Sequence, residues 1–585
     1  SSGGGVQAET RQIRGRGADM AGGRARVLHD DRHRTASGQS AMTPRILILG
    51  GGVAGLYAAR ELRRRLGARA EIELVTSENY FLFQPLLPEV AGGAITDMHA
   101  VTPLRFLAGG VKLRKAEVEH VDPRARQVMV FQGVQRRPTM LDYDHLVIAL
   151  GSGTDLSRTP GLAEHALTMK SLHDARRLRA HVIERLEHAD ITRLPEVKRG
   201  ALTFTVVGGG FSGIETVGEM KELIDRSLKY YPNIAPEEVR VVVLEFADRI
   251  LGEMPPKLAD YAAKTLARRG IEVQLGTGVA SATGTQLVTT AGEVIDTRTI
   301  VATIGNTPAP AVKRMPVELA HGRVAVERTL QARGSDRIWS LGDCALIPMK
   351  EGAEERGDFA PPTAQFAVRE ARHLAGNVAA AIEGRPLAPF SYTSKGALAS
   401  LGAHRGVAEV MGVQLTGFPA WLLWRAYYVA FLPGISARMK VLVNWLMDAF
   451  SPRSVVQIAP ENPPAARHVL YRAGDRIYEA GNRADGFFTV ISGAVEISGP
   501  DPESGEMRSR VIREGGHFGE RLLMGATRRV ATARAVEDTK VLVMNREEFL
   551  RLAEGLPAFR AYFEGYMADQ GLDFPLGEDR PKAAE

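Results

Sequence analysis

Two glycine-rich segments constrain this chain more strongly than any other feature of its sequence. The first, Gly50–Gly55, follows the β-branched run Ile46–Leu49 and precedes a helix-forming run. The second, Gly208–Gly213, follows Thr203–Val207 in the same way. A pyrophosphate site requires this order of strand, glycine-rich turn and helix, because the N–H groups at the helix N-terminus then face the charge. The repetition predicts two dinucleotide-binding units.

Each glycine of these segments has a separate task. The first permits the tight turn, the second lets the backbone approach the phosphates, and the third lets the helix pack close to the strand. The candidate cofactor-binding glycines are therefore Gly50, Gly52 and Gly55 in the first unit and Gly208, Gly210 and Gly213 in the second.

Acidic residues near the ends of the following strands are candidates for binding ribose. Glu245 directly follows the strand Val241–Leu244. A carboxylate in this position accepts hydrogen bonds from a ribose 2′-hydroxyl and repels a 2′-phosphate, so NADH is favoured over NADPH. After the first unit the corresponding residue is Thr76. Glu78, two residues on, is either a ribose ligand or a solvated loop carboxylate.

The length of 585 residues predicts about three to four domains. Short strands alternate with helices up to about residue 390, which predicts an α/β fold with parallel sheets, and a later region of short strands and glycines predicts a β-roll. The predicted organisation is a disordered tail (1–43), a first α/β domain (44–163 and 300–390), a second α/β domain (164–299), a membrane-associating region (391–450), a linker (451–467), a β-roll domain (468–572) and a tail (573–585).

Composition excludes several other functions. The net charge of +6 is spread along the chain without a basic patch interleaved with aromatic residues, which disfavours nucleic acid and suits an anionic membrane surface. The single cysteine, Cys344, leaves no disulfide and no cysteine-based zinc site. No run of about 18 apolar residues occurs. We expect a peripheral protein on the cytoplasmic face of a membrane and no bound metal.

Three further motifs resemble the two-dinucleotide flavoprotein reductases. They are LVIALGSG (146–153), IVATIGNTP (300–308) and RIWSLGDCALIP (337–348). The resemblance covers about residues 44–345 and implies FAD in the first α/β domain and NAD(P)H in the second. It also implies that Asp343 holds the ribitol of FAD.

The cysteine count selects a branch of that family. Disulfide reductases and sulfide:quinone oxidoreductases need a cysteine pair beside the flavin, so both are excluded, and Cys344 is interpreted as a small buried filler. SENYFLFQPLLPEVAGGAI (77–95) and PPTAQFAVREARHLAGN (361–377) instead resemble the type II, non-proton-pumping NADH dehydrogenases. That resemblance extends over about residues 44–450 and implies electron transfer to a membrane quinone.

The same resemblance implies two catalytic candidates. Gln365 matches the first glutamine of the AQxAxQ motif, which flanks the quinone opening, whereas Arg369 replaces the second glutamine. Glu215 matches the family's acid beside the flavin and quinone sites. Its alternative role is a helix N-terminal carboxylate that is favoured by the helix dipole.

Residues 417–450 hold three of the four tryptophans and form two apolar stripes at helical spacing. The stripes are Trp421, Trp424, Tyr428 and Phe431, then Met439, Leu442, Leu446 and Phe450. We interpret them as helices that lie in a membrane interface, with core or dimer packing as the alternative. Many relatives pair through this region, so a homodimer is also expected.

The β-roll region resembles cyclic-nucleotide-binding domains over residues 468–555. In that family a glutamate binds the ribose 2′-hydroxyl, and an arginine nine residues on binds the cyclic phosphate. Glu520 and Arg529 keep this spacing, and Gly519 adds a backbone N–H group near the phosphate. Leu522 is larger than the family's small residue, and Val530 favours cAMP over cGMP. The alternative is a domain that serves only for contacts.

Together these motifs predict an enzyme that passes a hydride from NADH to FAD and two electrons to quinone near Gln365, with cAMP as an effector. One alternative is an NADH:ferredoxin or rubredoxin reductase, which shares the glycine motifs but does not need the tryptophan-rich helices. The other is a nucleotide-sensing flavoprotein with little turnover.

Overall fold

The computed structural model describes residues 28–29, 43–451, 453–456, 466–481, 484, 486–500, 507–572 and 574. The predicted tails and linker (1–43, 573–585 and 451–467) therefore lie largely outside the described residues. The helices of the described part are α1 (Val53–Leu66), α2 (Leu87–Ala91), α3 (Leu104–Leu107), α4 (Leu162–His165), α5 (Leu172–Ile191), α6 (Pro195–Ala201), α7 (Phe211–Ser227), α8 (Pro256–Arg268), α9 (Pro310–Lys313), α10 (Ala364–Ile382), α11 (Gly417–Phe431), α12 (Ile435–Phe450), α13 (Arg546–Gly555) and α14 (Pro557–Asp569).

The first α/β unit is built on a sheet that contains both predicted chain segments. In spatial order its strands are Leu28–His29, Arg137–Asp142, Gln127–Gln132, Lys112–Asp122, Glu71–Thr76, Arg45–Leu49, His145–Ile148 and Ile338–Ser340. Arg45–Leu49 pairs in parallel with both of its neighbours, and its last four residues are buried. A parallel strand that is covered on both faces must be apolar throughout. The continuous apolar run Ile46–Leu49 is therefore typical of such a strand.

The second α/β unit has a five-stranded parallel sheet. Its spatial order is Leu167–Thr168, Thr299–Ala302, Thr203–Val207, Arg240–Leu244 and Ile271–Gln274. The sheet thus extends to Ala302, past the domain boundary predicted at residue 299, because Thr299–Ala302 pairs with the strand before the second glycine segment. Ser152–Thr154 and Asn306–Pro308 pair where the chain crosses between the two units.

Smaller sheets and hairpins complete the two units. Their strands are Tyr80–Leu82 with Val101–Pro103; Val279–Ala282, Gln286–Thr289 and Val294–Asp296; and Leu319–Ala320, Arg323–Ala325 and Ala345–Leu346.

The region predicted to associate with a membrane (391–450) contains more than the predicted helices. A three-stranded antiparallel sheet (Gly396–Gly402, Arg405–Val410 and Val413–Thr416) precedes α11 and α12, and the sequence prediction missed it. Trp421, Trp424 and Trp445 are buried. The prediction that the first stripe faces a membrane is therefore wrong for two of its tryptophans. Trp421 packs against His404 in a turn of the preceding sheet, and Trp424 packs towards α7.

The second stripe does face outwards and belongs to a larger exposed surface. We call this surface the apolar face of α11 and α12. Its members are Phe418, Leu422, Ile435, Met439, Leu442, Val443, Leu446, Met447 and Phe450. None of the described helices is long and apolar enough to cross a membrane.

The C-terminal domain is a β-roll, as expected, followed by α13 and α14. One of its sheets contains Ala466–Tyr471, Thr539–Met544, Phe487–Ser492 and His517–Phe518, and the other contains Arg476–Tyr478, Thr532–Ala535, Ala494–Pro500 and Met507–Arg513. The domain contacts α4. Lys540 pairs with Glu164 at 2.8 Å, and the backbone N–H of Leu470 donates to Nε2 of His165 at 3.2 Å.

A buried arginine fixes the chain where α12 ends. Arg453 is 6% exposed and pairs with Glu219 of α7 at 3.1 Å and with Asp448 of α12 at 3.2 Å. It also donates to the carbonyl oxygen of Gly92, just after α2, at 2.9 Å. One guanidinium thus joins three helices, and the neighbouring carboxylates raise the pKa of Arg453 above its ordinary value.

We expect Arg453→Met to destabilise the protein strongly, because Glu219 is then buried without its cation. Removing one partner of a buried ion pair costs about 3–5 kcal/mol. The midpoint of thermal unfolding, followed by far-ultraviolet circular dichroism, should fall by several degrees.

The matched control is Arg69→Met, which removes an exposed arginine that pairs with Glu383 at 2.8 Å. Such surface pairs contribute about 0–1 kcal/mol. Equal midpoints for the two variants would contradict the role of Arg453.

Candidate functional site

The first glycine segment forms a tight turn before α1. Gly50 has φ +108°, and a Cβ atom there would lie 2.2 Å from the carbonyl oxygen of Ala149. A Cβ atom on Gly55 would lie 1.8 Å from the carbonyl oxygen of Gly50. Gly52, in contrast, faces open space, with no heavy atom within 4 Å of a Cβ position. The turn is therefore closed on the protein side and open where a ligand would approach.

The second segment repeats this geometry before α7. Gly208 has φ +109°, a Cβ atom on Gly213 would lie 1.8 Å from the carbonyl oxygen of Gly208, and Gly210 again faces open space. Two segments that are distant in sequence thus form turns of the same geometry, as the repeated motif predicted. Glu245 lies beside the second cradle and accepts hydrogen bonds from the backbone N–H groups of Gly209 (2.5 Å) and Ala247 (2.8 Å).

Asp343 lies close to the start of α1, next to the first cradle. A Cβ atom on its neighbour Gly342 would lie 2.8 Å from the Cβ atom of Ala54. Asp343 accepts a hydrogen bond from the hydroxyl of Ser152 at 2.9 Å, and burial raises the pKa of its carboxyl. Glu370 of α10 holds this turn by accepting from the N–H of Gly342 at 2.8 Å.

The other candidates of the first unit have simple surroundings. Glu78 is exposed in the loop after Glu71–Thr76, as its solvated alternative requires. Cys344 is fully buried, and its thiol lies 3.5 Å from the carbonyl oxygen of Ile148. Burial raises the pKa of the thiol, which suits a filler and not a nucleophile.

A cavity of about 790 Å³ connects the two units. It is lined by Val53 at the start of α1 and by Phe211 at the start of α7, so both cradles open beside it. Phe83, Tyr428 and Phe431 supply an aromatic wall from α11 and from the segment before α2. Such an apolar cavity with a few polar groups is typical of a site for a flat, mostly apolar ligand.

Gln365 lines this cavity at the start of α10, but its side chain is already bound to the protein. Its Oε1 atom accepts hydrogen bonds from the hydroxyl of Tyr392 at 2.9 Å and the backbone N–H of Lys395 at 3.3 Å. Its Nε2 atom donates to the carbonyl oxygen of Gly396 at 3.3 Å. Gln365 therefore shapes the cavity wall by holding residues 392–396. Arg369 lies one turn later, 5.1 Å from the ring centre of Tyr392.

Glu215 lies behind the cavity in the first turns of α7 and is 6% exposed. Its Oε1 atom accepts hydrogen bonds from the indole N–H of Trp424 at 2.7 Å and from the backbone N–H of Ser400 at 3.2 Å. Burial raises the pKa of Glu215 to about 8, although these hydrogen bonds lower it. The Glu215 charge in turn contributes to the raised pKa of Tyr428, so the carboxyl and the cavity wall interact.

Sequence reasoning missed the buried carboxyl of Glu89 in α2, as it missed those of Glu219 and Glu370. Glu89 is 2% exposed and accepts a hydrogen bond from the indole N–H of Trp445 at 2.7 Å and one from Arg425 at 3.3 Å. Burial raises the pKa of Glu89 to about 7. A charged residue inside the apolar run LLPEVA was the available signal.

The β-roll domain has its own cavity of about 410 Å³, and Gly519, Glu520 and Arg529 all line it. Arg529 is 6% exposed, donates to the carbonyl oxygen of Gly486 at 2.6 Å, and has its guanidinium 4.2 Å from the ring centre of Tyr478. Glu520 pairs with Arg510 at 3.4 Å. The structure thus brings the three predicted residues together in one cavity, remote in sequence from the first.

Family models match three consecutive parts of the chain. Residues 44–371 match the family described as pyridine nucleotide-disulphide oxidoreductase. Residues 394–454 match the NDH2 C-terminal domain, and residues 468–555 match the cyclic nucleotide-binding domain.

Named relatives match about two thirds of the chain. The type II NADH:quinone oxidoreductase Ndh of Mycobacterium tuberculosis is 32% identical over 425 residues, which cover 70% of this chain and 89% of that protein. The demethylphylloquinone reductase NdbB of Synechocystis is 31% identical over 418 residues, which cover 69% and 96%. The solved structure of NDH2 from Plasmodium falciparum has a TM-score of 0.65 at 18% identity and covers 71% of this chain and 100% of that chain, a likeness of fold.

The two cradles lead to a prediction about alanine substitutions. Gly213→Ala forces a Cβ atom to 1.8 Å from a carbonyl oxygen, so the backbone must move and the midpoint of thermal unfolding should fall. Gly210→Ala meets open space at φ −73°, so its midpoint should equal that of the unchanged protein.

Gly210→Ala should instead weaken the binding of NADH, because the added methyl group occupies the space where the phosphates approach. The dissociation constant, measured by fluorescence titration, checks this expectation. Unchanged NADH affinity in Gly210→Ala would contradict the assignment of the second cradle to NADH.

Proposed function

Because this chain belongs to the type II NADH:quinone oxidoreductases, within the pyridine nucleotide-disulphide oxidoreductase family, we propose that it oxidises NADH and reduces a membrane quinone with FAD as its cofactor. The observation that carries the proposal is the cavity that both glycine cradles share. When bound, FAD supplies the redox chemistry, since it takes up a hydride and returns the electrons to an acceptor.

The residues of the first unit fit FAD. Gly50, Gly52 and Gly55 form a cradle with open space at its second glycine, and the start of α1 directs backbone N–H groups towards a pyrophosphate. We assign Asp343 to the ribitol hydroxyls, since its carboxyl is buried beside the same helix N-terminus. Glu78 is exposed in the neighbouring loop, and its contact with the FAD ribose stays a prediction.

The residues of the second unit fit NADH. Gly208, Gly210 and Gly213 surround the pyrophosphate position, and Glu245 ends the neighbouring strand. Backbone N–H groups already hold the Glu245 carboxylate in place, so it is oriented before a ribose arrives. Its negative charge would repel the 2′-phosphate of NADPH.

The chain's own residues bind and orient the quinone and supply a proton. The aromatic wall of Phe83, Tyr428 and Phe431 excludes water around the ring. Gln365 keeps residues 392–396 in place at the opening. Glu215 holds a proton behind Tyr428 and has a pKa of about 8, so it is largely protonated at neutral pH.

We place the enzyme peripherally on the cytoplasmic face of a membrane. The apolar face of α11 and α12 exposes nine large apolar side chains on two consecutive helices, which is typical of helices that lie in a membrane interface. A lipid-soluble acceptor would then reach the cavity, whose wall is formed in part by α11. A homodimer through residues 417–450 stays a prediction, and light scattering tests it.

Purified holoenzyme on liposomes that contain quinone should oxidise NADH and reduce quinone in a one-to-one ratio. Leu446→Glu places a charge on the apolar face, so the protein should lose its sedimentation with liposomes and most of its quinone turnover. Its NADH:ferricyanide activity should be unchanged, because ferricyanide is reduced in water.

The control is Val134→Glu, which introduces the same charge at a fully exposed turn away from that face. Normal quinone turnover by Leu446→Glu would overturn the membrane assignment. Flavin reduction by NADH without any quinone reduction would favour a ferredoxin or rubredoxin reductase, whereas negligible turnover with every acceptor would favour a nucleotide sensor.

We further propose that the β-roll domain binds cAMP and regulates this activity. Glu520, Arg529 and Gly519 share one cavity and have the spacing of a cyclic-phosphate site. Glu520 would accept from the ribose 2′-hydroxyl, and Arg529 would pair with the phosphate. Val530 in place of a hydroxyl residue favours cAMP over cGMP.

Calorimetric titration should give saturable cAMP binding, and cAMP should change the quinone rate. Glu520→Gln should weaken binding by about tenfold or more, since a hydrogen bond to a charged group is worth about 1.5–3 kcal/mol. Glu514→Gln, at an exposed turn of the same domain, is the control. If neither cAMP nor cGMP binds at millimolar concentration, the domain serves for contacts only and the regulatory proposal fails.

A further inference from the structure

Three buried carboxyls belong to α2 and α7, two helices that pack together. They are Glu89, Glu215 and Glu219, which are 2%, 6% and 5% exposed. We call them the acidic seam. Glu215 and Glu219 are one turn apart on α7, and a Cβ atom on Gly92, just after α2, would lie 2.9 Å from a carboxyl oxygen of Glu219. Helices α11 and α12 cover the seam with Trp424 and Trp445.

Two of the three carboxyls of the seam pair with a cation. Arg453 pairs with Glu219 at 3.1 Å, and Arg425 pairs with Glu89 at 3.3 Å. Among the described residues, no cation forms an ion pair with Glu215. An unpaired ionised carboxyl in an apolar interior is costly, so a group in this position takes up a proton. The arrangement therefore favours one shared proton in the seam.

Every element that packs around Glu89 bears on its charge. Arg425 of α11 and Arg453 beyond α12 favour ionisation, and so does the indole donor Trp445 of α12. Glu219 of α7 disfavours it. Arg179 of α5 lies farther out, 3.3 Å from a Cβ position on Gly93. Burial outweighs the groups that favour ionisation and raises the pKa of both Glu89 and Glu215. The two carboxyls also bind consecutive residues of α11, since Trp424 donates to Glu215 and Arg425 donates to Glu89.

Quinone reduction needs such a proton. NADH, one proton and quinone give NAD⁺ and quinol, so the hydride brings two electrons and one hydrogen, and one further proton must come from the protein or water. Glu215 reaches the cavity wall through Trp424, which donates to its carboxyl at 2.7 Å and packs edge-on against Tyr428 with ring centres 4.7 Å apart.

Building on the proposed function, we propose that Glu89 is the proton reserve of the acidic seam and restores the proton that Glu215 gives up during quinone reduction. The O–H bond of Glu215 breaks as the O–H bond of quinol forms, the O–H bond of Glu89 then breaks as that of Glu215 re-forms, and Glu89 is recharged from water. Glu89 acts through Glu215 and is therefore a positioning residue.

The central variant is Glu89→Gln, which keeps an acceptor for Trp445 and removes the transferable proton. Quinone-dependent kcat on liposomes should fall by about tenfold. This loss is smaller than the one expected when a positioned general acid is itself removed. The rate with ferricyanide should be unchanged, because that acceptor takes electrons without protons. The alkaline limb of the quinone pH profile should lose one of its two ionisations.

A readout independent of turnover is the infrared signal of protonated carboxyl groups. Titration of the holoenzyme should show a carboxyl band that disappears around pH 7, and Glu89→Gln should lack it. The matched control is Glu61→Gln, which removes a half-buried carboxylate of α1 that pairs with Arg64 at 2.7 Å outside the seam. It should leave both the quinone profile and this band unchanged.

Trp445→Phe provides a second test if Glu89→Gln does not fold. The indole hydrogen bond lowers the pKa of Glu89, so its loss raises that pKa, and the alkaline limb should move to higher pH. An unaltered profile in both variants, or equal losses with quinone and ferricyanide, would overturn the inference. If the unchanged enzyme reduces ferricyanide but no quinone, the proposed function itself fails.

Discussion

Two hydrogen bonds from indole N–H groups to buried carboxyls hold the C-terminal helices on the α/β units. Trp424 of α11 donates to Glu215, and Trp445 of α12 donates to Glu89. Burying a carboxyl and an indole N–H is costly unless each satisfies the other, so the helices have one favourable position. That position completes the aromatic wall of the central cavity with Tyr428 and turns the opposite side of both helices outwards.

The parts of the site that could be predicted are those that local sequence determines. Gly50–Gly55 and Gly208–Gly213 fold as expected because a turn closed by 1.8 Å approaches admits only glycine, whatever surrounds it. The partners of Glu89 could not be predicted, since Trp445 is 356 positions away and nothing near either residue indicates the contact. The prediction of which way the tryptophans face was wrong for the same reason, because helical spacing identifies an apolar stripe but not what covers it.

The β-roll domain is joined to the enzyme at two separate places. Its first strand and Lys540 contact α4, close to the crossing between the two α/β units, through Glu164 and His165. The segment that leads to it follows Arg453. Arg453 pairs with Glu219 of α7, which lies one helical turn from Glu215. A structural change in the β-roll domain would therefore reach the enzyme through the unit crossing or through the helix that carries the seam.

The choice of glutamate in the seam is hard to explain by stability. Buried ion pairs are often no more stabilising than well-packed apolar residues, and Glu215 lacks even a paired cation among the described residues. A glutamine at either position could also accept a hydrogen bond from the indole. What glutamine cannot do is hold and release a proton near neutral pH, where the pKa values of Glu89 and Glu215 lie. The physical difference between these two side chains is thus the property that quinol formation requires.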